Sequence, residues 1–481
     1  MDPEALPPPQ LIRCAQSIAD FLLERVNTHI FQIVSHLDAD GLAAAGIVSK
    51  ALRRLGARFH VRIVHQLSKR VLELLPKSQR VLIFTDLGSG QLSLLDEAFR
   101  ENTVIIDHHP PEEAGEESFM QLNPHLFGLD GNTEASGAGM AYLVAKEIDD
   151  ENRNLAALAV VGALGDRQDK GEARSLIGLN AEIVREGVKS GVLEEVKDLI
   201  FFGRETRPIP VALEYTMDPF IPGLSGNHAA CVKFLVERVK IPLKSGDRWR
   251  TISELSQQEK STLVSELVKY MLGVGGMSAG EAQSIVGAVY VLVKEQLGTP
   301  MRDAREFAFL LNACGRTGKT GLGLAICVGD RKYFEEAVKV AGEYRAKLAE
   351  YMNWLGDGNM NVKGSVCWFN GGRYINDKMV GTVTSILSSS SLCKGKVIVG
   401  FAYSEEEAAV KVSARLGAEV KKEVNLGELI RRVVSKMGLN FVAGGHDLAA
   451  GAYIPAGKEN EFIEHLNIEL SEIGEAVDHD G

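Results

Sequence analysis

The sequence predicts an α/β fold with two lobes, and three features of its pattern support this. From residue 10 to about 190, apolar β-like runs alternate with helix-like segments, as in a parallel sheet with crossover helices. Around 203–227, four prolines and several glycines interrupt the periodicity of both helices and strands and indicate a domain boundary. From about residue 300 onward, the alternation resumes and predicts a second α/β lobe.

Four predicted strands build the sheet of the first lobe, and three of them end in acidic or histidine side chains. The strands are FQIVSH, RFHVRIV, RVLIFTD and TVIIDHH, and helix-like segments such as LAAAGIVSKALRRLG lie between them. The carboxyl ends of parallel strands meet at one edge, where open α/β sheets hold ligands. We therefore expect these polar side chains to lie together.

Two segments with the start and stop signals of helices follow the boundary. Each begins with a capping-box serine and ends at a glycine: SQQEKSTLVSELVKYMLG (Ser256–Gly273) and SAGEAQSIVGAVYVLVKEQLG (Ser278–Gly298). In the second lobe we predict strands at GLGLAICV, GSVCWFN, KVIVGFAY and AAVKVSA. The predicted domains are 1–203, a linker and mainly helical insertion at 204–300, and 301–481.

The composition favours a soluble cytoplasmic protein. The net charge is -11 and the pI about 5.6, so nucleic-acid binding would need a local basic surface. Between Lys50 and Arg80, nine Lys or Arg residues stand against one acid, which suits a nucleic-acid backbone or an acidic partner, with an ordinary solvated face as the alternative. Six scattered cysteines are expected to be reduced. We find no signal peptide and no run of membrane-spanning length.

Acids and histidines gather at or near the predicted strand and helix ends. They are His36, Asp38, Asp40, Asp86, Asp107, His108, His109 and Asp166. Carboxylates this close would repel each other, and bound divalent cations remove that repulsion. Mixed Asp and His ligands suit Mn²⁺ or Mg²⁺, with imidazole favouring manganese, and two such ions can clamp a phosphate ester. One such Asp is ordinarily a turn residue, but the whole set predicts metal-dependent phosphoester hydrolysis.

The order of these motifs resembles a known family. SHLDADG, TDLGSG, IIDHHPP and LGDRQD resemble the four motifs of the DHH phosphoesterase superfamily, and GGHDLAAGAYIP is similar to the motif of its partner domain, DHHA1. RDAREFAFLLNACGRTG and the insertion resemble archaeal RecJ-like nucleases, including those described as GINS-associated. The resemblance implies a parallel-sheet DHH domain, a smaller α/β DHHA1 domain and a helical insertion between them.

The resemblance also implies roles for particular residues. Five side chains would hold two Mn²⁺ ions, with Mg²⁺ as the alternative: Asp38, Asp40, Asp86, His108 and Asp166. Asp86 would bridge the ions, and His36 would be a further ligand or an outer partner. Asp107 would orient His108, and His109 would contact the scissile phosphate. In the partner domain, six residues would grip the nucleotide and its phosphate: Arg316, Ser413, Arg415, Gly444, Gly445 and His446.

By resemblance, the activity would be stepwise 5′→3′ hydrolysis of single-stranded DNA in replication or repair, near the nucleoid, with the DNA held between the lobes. Three alternatives stay open: a 3′→5′ exonuclease on RNA or DNA, a small-nucleotide phosphodiesterase, and a mainly structural subunit that binds the GINS complex of the replisome. The family includes relatives that lost their acids and serve as structural subunits of the eukaryotic replicative helicase, so intact motifs favour an enzyme. GRTGKTGLG lacks the first glycine of a Walker loop, so we expect no ATP binding.

Overall fold

The structure is a computed structural model that describes residues 7–75, 80–95, 97–112, 119–216, 219–388, 393, 395–417, 420, 424–439, 443–445 and 448–479. The chain divides into two compact units, Met1–Ala341 and Gly342–Gly481. Among the described residues, no helix is long and apolar enough to cross a membrane.

A five-stranded parallel sheet lies at the centre of the N-terminal unit, which confirms the predicted sheet. Its strands are β1 (Ile30–His36), β2 (Arg58–Val64), β3 (Arg80–Thr85), β4 (Thr103–Ile106) and β5 (Met120–Leu122). Their order across the sheet is β2-β1-β3-β4-β5, and every neighbouring pair is parallel. The residues that follow β1, β3 and β4 therefore meet at one edge.

Six α-helices accompany this sheet in the described part of the chain, and three of them are largely buried. They are α1 (Pro9–Arg25), α2 (Ala39–Arg54), α3 (Lys69–Glu73), α4 (Gly137–Ile148), α5 (Ala156–Gly165) and α6 (Gly178–Lys189). The small side chains of Ala43, Ala44 and Ala45 are fully buried in α2 and let α4 and α5 pack closely against it. The turn between β1 and α2 is thereby supported on several sides.

The next segment consists mainly of short helices around an apolar core of its own. Its elements are β6 (Leu193–Leu199), α7 (Ile209–Glu214), α8 (His228–Phe234), β7 (Lys244–Ser245), β8 (Arg248–Trp249), α9 (Gln257–Gly273), α10 (Ala279–Gln283) and β9 (Val286–Leu292). Leu213 of α7, Phe234 of α8 and Leu267 of α9 are buried in that core. The helical region predicted between the two lobes is therefore confirmed.

Our prediction of one helix over Ser278–Gly298 was wrong beyond its first turns. The helix α10 ends at Gln283, and β9 then pairs antiparallel with β6. The residues of β9, VGAVYVL, are rich in β-branched and aromatic side chains, which favour a strand. All but the first are buried, so the alternation typical of an exposed strand is missing from the sequence.

Three further helices follow, and one of them replaces a predicted strand. They are α11 (Ala304–Arg316), α12 (Thr320–Val328) and α13 (Phe334–Gly356). The strand predicted at GLGLAICV was wrong, because α12 covers these residues and buries Gly323, Ile326 and Cys327 at helical spacing. A Cβ at Gly323 would lie 2.8 Å from Cδ1 of Leu42, so α12 packs directly on α2.

A six-stranded mixed sheet forms the C-terminal unit and confirms the second α/β lobe. Its elements are β10 (Asn361–Lys363), β11 (Val366–Asn370), α14 (Val380–Ser388), β12 (Val397–Ser404), β13 (Ala409–Leu416), α15 (Leu426–Lys436), β14 (Ala443–Gly445), β15 (Ala449–Ile454) and α16 (Glu459–His479). The strand order is β10-β11-β12-β13-β15-β14, and only β11 and β12 are parallel. Phe401, Ile430 and Phe462 lie in its core.

One pair of cysteines is oxidised in the structure. Cys367 and Cys393 form a disulfide, so our prediction of reduced thiols was wrong for these two. Their Cα atoms lie 6.0 Å apart although 26 residues separate them, a proximity that the spacing of the cysteines in the sequence does not indicate.

Glu306 of α11 is a buried carboxyl group whose ionisation we expect to destabilise the fold. It accepts hydrogen bonds from the backbone N–H of Glu205 (2.7 Å) and the hydroxyl of Thr206 (2.5 Å). Burial and the charge of Asp303 raise the pKa of Glu306 to about 8, above the value of about 4.3 in an unfolded chain. Its stabilising contribution is complete below the unfolded pKa and is lost as the pH rises through the folded pKa.

Urea unfolding from about pH 5 to about pH 9 measures this effect. We expect the wild type to lose more stability over that range than Glu306→Gln, which carries no charge. Its amide oxygen can accept from the N–H of Glu205, and its amide nitrogen can donate to the hydroxyl oxygen of Thr206. Glu24→Gln, at a carboxylate with 74% of its side chain exposed, should show the wild-type slope. Equal slopes for the wild type and Glu306→Gln would contradict the expectation.

Candidate metal centre

The strand-end residues identified in the sequence lie at one edge of the parallel sheet. Asp38 caps the N-terminus of α2, where it accepts a hydrogen bond from the backbone N–H of Gly41 over 3.0 Å. Asp86 directly follows β3, and His108 lies just beyond β4. Asp166 is the C-terminal cap of α5. Three strands and one helix end therefore converge on the same region.

One group of four candidate ligands surrounds Nε2 of His108. This atom lies 3.1 Å from Oδ1 of Asp86, 3.2 Å from Oδ2 of Asp166 and 3.7 Å from Oδ2 of Asp40. One ligand atom from each of the four lies within 4.8 Å of all the others. Such a mixture of carboxylates and imidazole suits Mn²⁺. Mg²⁺ also binds carboxylates but prefers sites with fewer histidines.

A second group shares Asp86 with the first. Nδ1 of His36 lies 2.9 Å from Oδ2 of Asp38 and 3.6 Å from Oδ2 of Asp86, and these three residues form another cluster with metal-ligand spacing. A third cluster joins Asp86 and His108 to His109. Within the described part of the chain, Asp86 belongs to each such cluster. Its expected bridging role fits this position and stays a prediction.

The atoms at the centre of the site are of the types that bind metal ions, and they have no hydrogen-bond partner in the part of the chain that the structure describes. Among the described residues, both carboxylate oxygens of Asp86 and Nε2 of His108 are buried and accept or donate no hydrogen bond. Nδ1 of His108 lies 2.6 Å from the carbonyl oxygen of Gly131, so Nδ1 carries the proton and Nε2 offers its lone pair. A buried carboxylate without a partner is costly. Divalent cations would supply the positive charge that these atoms need.

The charges of the site perturb one another. Burial and the charges of Asp86 and Asp166 raise the pKa of Asp40 well above its ordinary value. Burial opposes protonation of His108, yet the nearby carboxylates of Asp166 and Asp86 raise its pKa. Protons therefore compete with cations for these ligands, and metal affinity should fall as the pH is lowered.

Asp107 contacts His109 and not the ring of His108, contrary to our prediction. Its Oδ1 accepts hydrogen bonds from the backbone N–H of His108 and from Nδ1 of His109, both over 2.8 Å. Its Oδ2 accepts one from the backbone N–H of Ser89 over 2.9 Å. The carbonyl of Gly131 holds the His108 ring instead. Although burial opposes it, the charge of Asp107 raises the pKa of His109, so Asp107 both orients this ring and favours its protonated form.

We expect Asp107→Asn to slow phosphodiester hydrolysis about 10- to 100-fold, in the range found for residues that orient catalytic groups. The single amide oxygen can replace Oδ1, which accepts from the backbone N–H of His108, but the amide nitrogen cannot accept the bond from Ser89. The substitution also removes the charge that favours protonated His109. The alkaline limb of the pH–rate profile should therefore move to lower pH, while Mn²⁺ affinity by calorimetry stays close to that of the wild type. An unchanged rate and profile would contradict this role.

The N-terminus of α4 holds Asp40, a contact that sequence reasoning missed. Oδ2 of Asp40 accepts a hydrogen bond from the backbone N–H of Gly137 over 2.7 Å, and Oδ1 accepts one from Ala138 over 3.0 Å. The positive end of the helix favours this carboxylate. In α5, any Cβ at Gly162 would overlap Oδ1 of Asp40. The sequence signal is the helix cap Ser136, which an ordinary helix would also show.

Helix α11 supports the loop between β1 and α2. The side-chain oxygen of Asn312 accepts a hydrogen bond from the backbone N–H of Ala39 over 3.2 Å. A Cβ at Gly315 would overlap the carbonyl oxygen of Leu37, so the helix backbone lies directly on this loop. Arg316, which we had assigned to the C-terminal domain, ends this helix in the N-terminal unit, and its charge is one of those that act on the nearby carboxylates.

The predicted nucleotide-binding residues of the C-terminal unit lie on neighbouring strands. Ser413 of β13 pairs with Gly451 of β15, which in turn pairs with Gly444 of β14. Oγ of Ser413 lies 3.0 Å from the hydroxyl of Thr384. The two glycines leave the sheet beside Ser413 without side chains.

Two further residues that are predicted to bind the nucleotide, Arg415 and Gly445, lie on the same strands as Ser413 and Gly444. Nε of Arg415 in β13 donates a hydrogen bond to Oγ of Ser385 over 3.0 Å. Gly445 pairs with Ala450 in the outer strands. His446 lies outside the described residues. Their contact with a nucleotide stays a prediction.

The basic stretch contains both structural and exposed arginines. Arg53 donates a hydrogen bond to the carbonyl of Val328 over 2.9 Å, and Arg54 donates one to Oδ1 of Asn152 over 2.5 Å. These two hydrogen bonds hold α2 against the segments that contain Val328 and Asn152. Arg58 and Arg62 instead alternate with half-buried apolar residues along β2, the edge strand of the sheet.

Three family models match successive parts of the chain. The model described as DHH family, N-terminal domain, matches residues 31–163, the DHH-CID domain matches 201–286, and the DHHA1 domain matches 361–472. The first contains four of the five candidate metal-ligand positions, all but Asp166.

Similar proteins extend over nearly the whole chain. An uncharacterized protein of Methanocaldococcus jannaschii is 30% identical over 94% of this chain and 96% of its own length. The crystal structure of exonuclease RecJ bound to manganese covers 96% of this chain and 94% of that chain with 18% identity and a TM-score of 0.55. CDC45 from Entamoeba histolytica covers 96% and 99%, with 12% identity and a TM-score of 0.65. RecJ and CDC45 therefore share the fold of this chain, and its three matched domains show that the chain belongs to the DHH/DHHA1 family.

Proposed function

We propose that this protein is a metal-dependent exonuclease that removes nucleotides stepwise from single-stranded DNA, with 5′→3′ polarity. The observation that carries the proposal is the position of Asp86, a buried carboxylate without hydrogen-bond partners, shared by clusters of metal-ligand spacing at the sheet edge. Its family and its fold are those of phosphodiesterases and nucleases. The polarity and the DNA substrate rest on the resemblance of the motifs.

Two divalent cations would be held by His36, Asp38, Asp40, Asp86, His108 and Asp166. Bound there, they would supply Lewis-acid activation of water and of the phosphoryl oxygens. Manganese is favoured because imidazole is among the ligands, and the similar RecJ structure was obtained with manganese.

The chain's own residues would position the substrate around this centre. His109 has 38% of its side chain exposed, and Asp107 holds its Nδ1. In this orientation the ring would donate a hydrogen bond to a phosphate oxygen of the substrate. Arg58 and Arg62 would attract the backbone of a strand through charge. In the C-terminal unit, Ser413 and the adjoining glycines would admit a phosphate close to the sheet.

Digestion of labelled oligonucleotides tests this function. The protein is incubated with Mn²⁺ and single strands of DNA or RNA carrying a label at the 5′ or the 3′ end. We expect immediate release of the 5′ label as a mononucleotide from DNA, a ladder of shortening products from the 3′-labelled strand, and no digestion with EDTA. Early release of the 3′ label would reverse the polarity, and preference for RNA would change the substrate.

A structural role in the replisome is the second candidate, since CDC45 shares this fold across nearly its whole length. In that case the protein would bind GINS without digesting nucleic acid. Charge reversal of Arg58 and Arg62 separates the candidates, because it should weaken DNA binding in the first and GINS binding in the second. Arg53 and Arg54 are unsuitable for this test because they stabilise α2.

A further inference from the structure

A cavity of about 210 Å³ lies in the N-terminal unit, away from the sheet edge. Apolar side chains form much of its wall: Leu155, Leu158, Leu292, Phe307 and Ile326. They come from α5 and the turn before it, β9, α11 and α12. Lys50 lies twelve residues after Asp38 along α2, a rise of about 18 Å at about 1.5 Å per residue. The cavity is therefore separate from the candidate metal centre.

The cavity is lined by more positively charged than negatively charged side chains. Lys50, Lys294 and Arg331 contribute three positive charges, and the sole acid lining it, Glu295, is paired with Arg331. Among the described residues, neither Lys50 nor Lys294 forms a hydrogen bond or an ion pair. Burial and the charges of Arg54 and Arg331 lower the pKa of Lys50, so its ammonium group lacks the stabilisation that an acidic neighbour would give.

The surplus of two positive charges matches one particular class of ligand. A phosphate monoester carries a charge of about −1.5 to −2 at neutral pH, and its oxygens accept several charge-assisted hydrogen bonds. A simple carboxylate would neutralise only half of the surplus. The apolar wall beside the lysines would exclude water from the organic part of such a ligand and favour an aromatic or aliphatic body.

We propose that this cavity binds a small phosphate monoester with an apolar or aromatic body, its phosphate held by Lys50 and Lys294 and its body packed against Leu158 and Phe307. The helices that line it, α2, α5 and α11, also carry or support the metal-ligand residues at their other ends. The proposal concerns a separate site and does not depend on the exonuclease activity.

Titration calorimetry with the full chain in EDTA tests the proposal, because the metal centre then cannot contribute a cation that binds phosphate. The probes are phenyl phosphate, AMP, inorganic phosphate and adenosine. We expect saturable binding of phenyl phosphate or AMP, with inorganic phosphate and adenosine each binding more weakly. Binding of phenyl phosphate alone would indicate a simple apolar body, and binding of AMP alone would indicate a nucleotide.

Substitution of the lysines assigns the binding to this cavity. Lys50→Met keeps the apolar stem and should weaken the affinity about 10- to 100-fold, as for loss of a charged hydrogen bond. Lys294→Met, at an exposed position, should weaken it without affecting folding. Lys189→Met, at an exposed lysine of α6, should bind like the wild type. No binding of either monoester at millimolar concentration, or unchanged affinity in both cavity variants, would overturn the proposal.

Discussion

Asp86→Asn is expected to abolish metal-dependent hydrolysis while leaving the metal-free protein at least as stable as the wild type. Both carboxylate oxygens are buried without partners, and the residue is shared by all the clusters found in the described chain. Loss of a charge from a group of mutually repelling carboxylates should stabilise the metal-free fold. Asn also tolerates the left-handed backbone here, where φ is 57°.

Two measurements separate the functional from the structural effect of Asp86→Asn. The rate should fall by more than about 100-fold, since loss of an outer partner of a metal ligand alone costs about 10- to 100-fold. Saturating Mn²⁺ should raise the Tm of the wild type, because a ligand that binds only the folded state stabilises it, but should raise that of the variant much less. Asp20→Asn, at an exposed aspartate of α1, is the matched control and should match the wild type in both. A variant that is unstable in EDTA would show that Asp86 is structural.

Gly315→Ala is expected to have the second largest effect, although the residue is no candidate ligand. The added Cβ would overlap the carbonyl oxygen of Leu37, a backbone atom that cannot rotate away. Overpacking of this kind typically costs about 1–3 kcal/mol. Because Leu37 precedes Asp38 directly, the displaced loop would also misplace metal ligands, and a shift of about 1 Å in a catalytic group can cost about 100-fold in rate.

The control for Gly315→Ala is the same substitution at Gly321. This glycine lies in α12, and apart from its chain neighbours and the backbone of its own helix, no atom lies within 4 Å of the position its Cβ would take. Alanine should therefore stabilise the protein there by about 0.4–1 kcal/mol through the unfolded state. Urea unfolding and hydrolysis rates are measured for both variants. If Gly315→Ala keeps wild-type activity, α11 does not control the geometry of the metal loop.

The sheet and its edge could be predicted because their signals are local. Apolar runs of strand length mark β1, β3 and β4, and each leads directly into acids or histidines such as Asp86 and His108. The parallel arrangement then brings these ends together without any knowledge of side-chain contacts. The family resemblance added the expectation that these side chains bind two metal ions and that Asp86 bridges them.

The supporting contacts could not be predicted, because they join segments far apart in the chain. Gly131 lies 23 residues from His108, whose ring it holds, and Asn312 lies 273 residues from Ala39. The sequence assigns no separate role to Gly315, and only packing shows that it touches Leu37. The mistaken elements, β9 and α12, have the same cause: both are apolar throughout, so periodicity does not distinguish helix from strand.

Anomalous diffraction from a crystal grown with Mn²⁺ tests the central claim most directly. The account predicts two anomalous peaks at the edge of the N-terminal sheet, both within ligand distance of Asp86, one also close to His108 and the other close to Asp38. In crystals of Asp86→Asn, at least one of the two should be lost. Manganese bound only elsewhere on the protein, or no peak beside Asp86 at saturating Mn²⁺, would contradict the assignment of a metal centre to these residues.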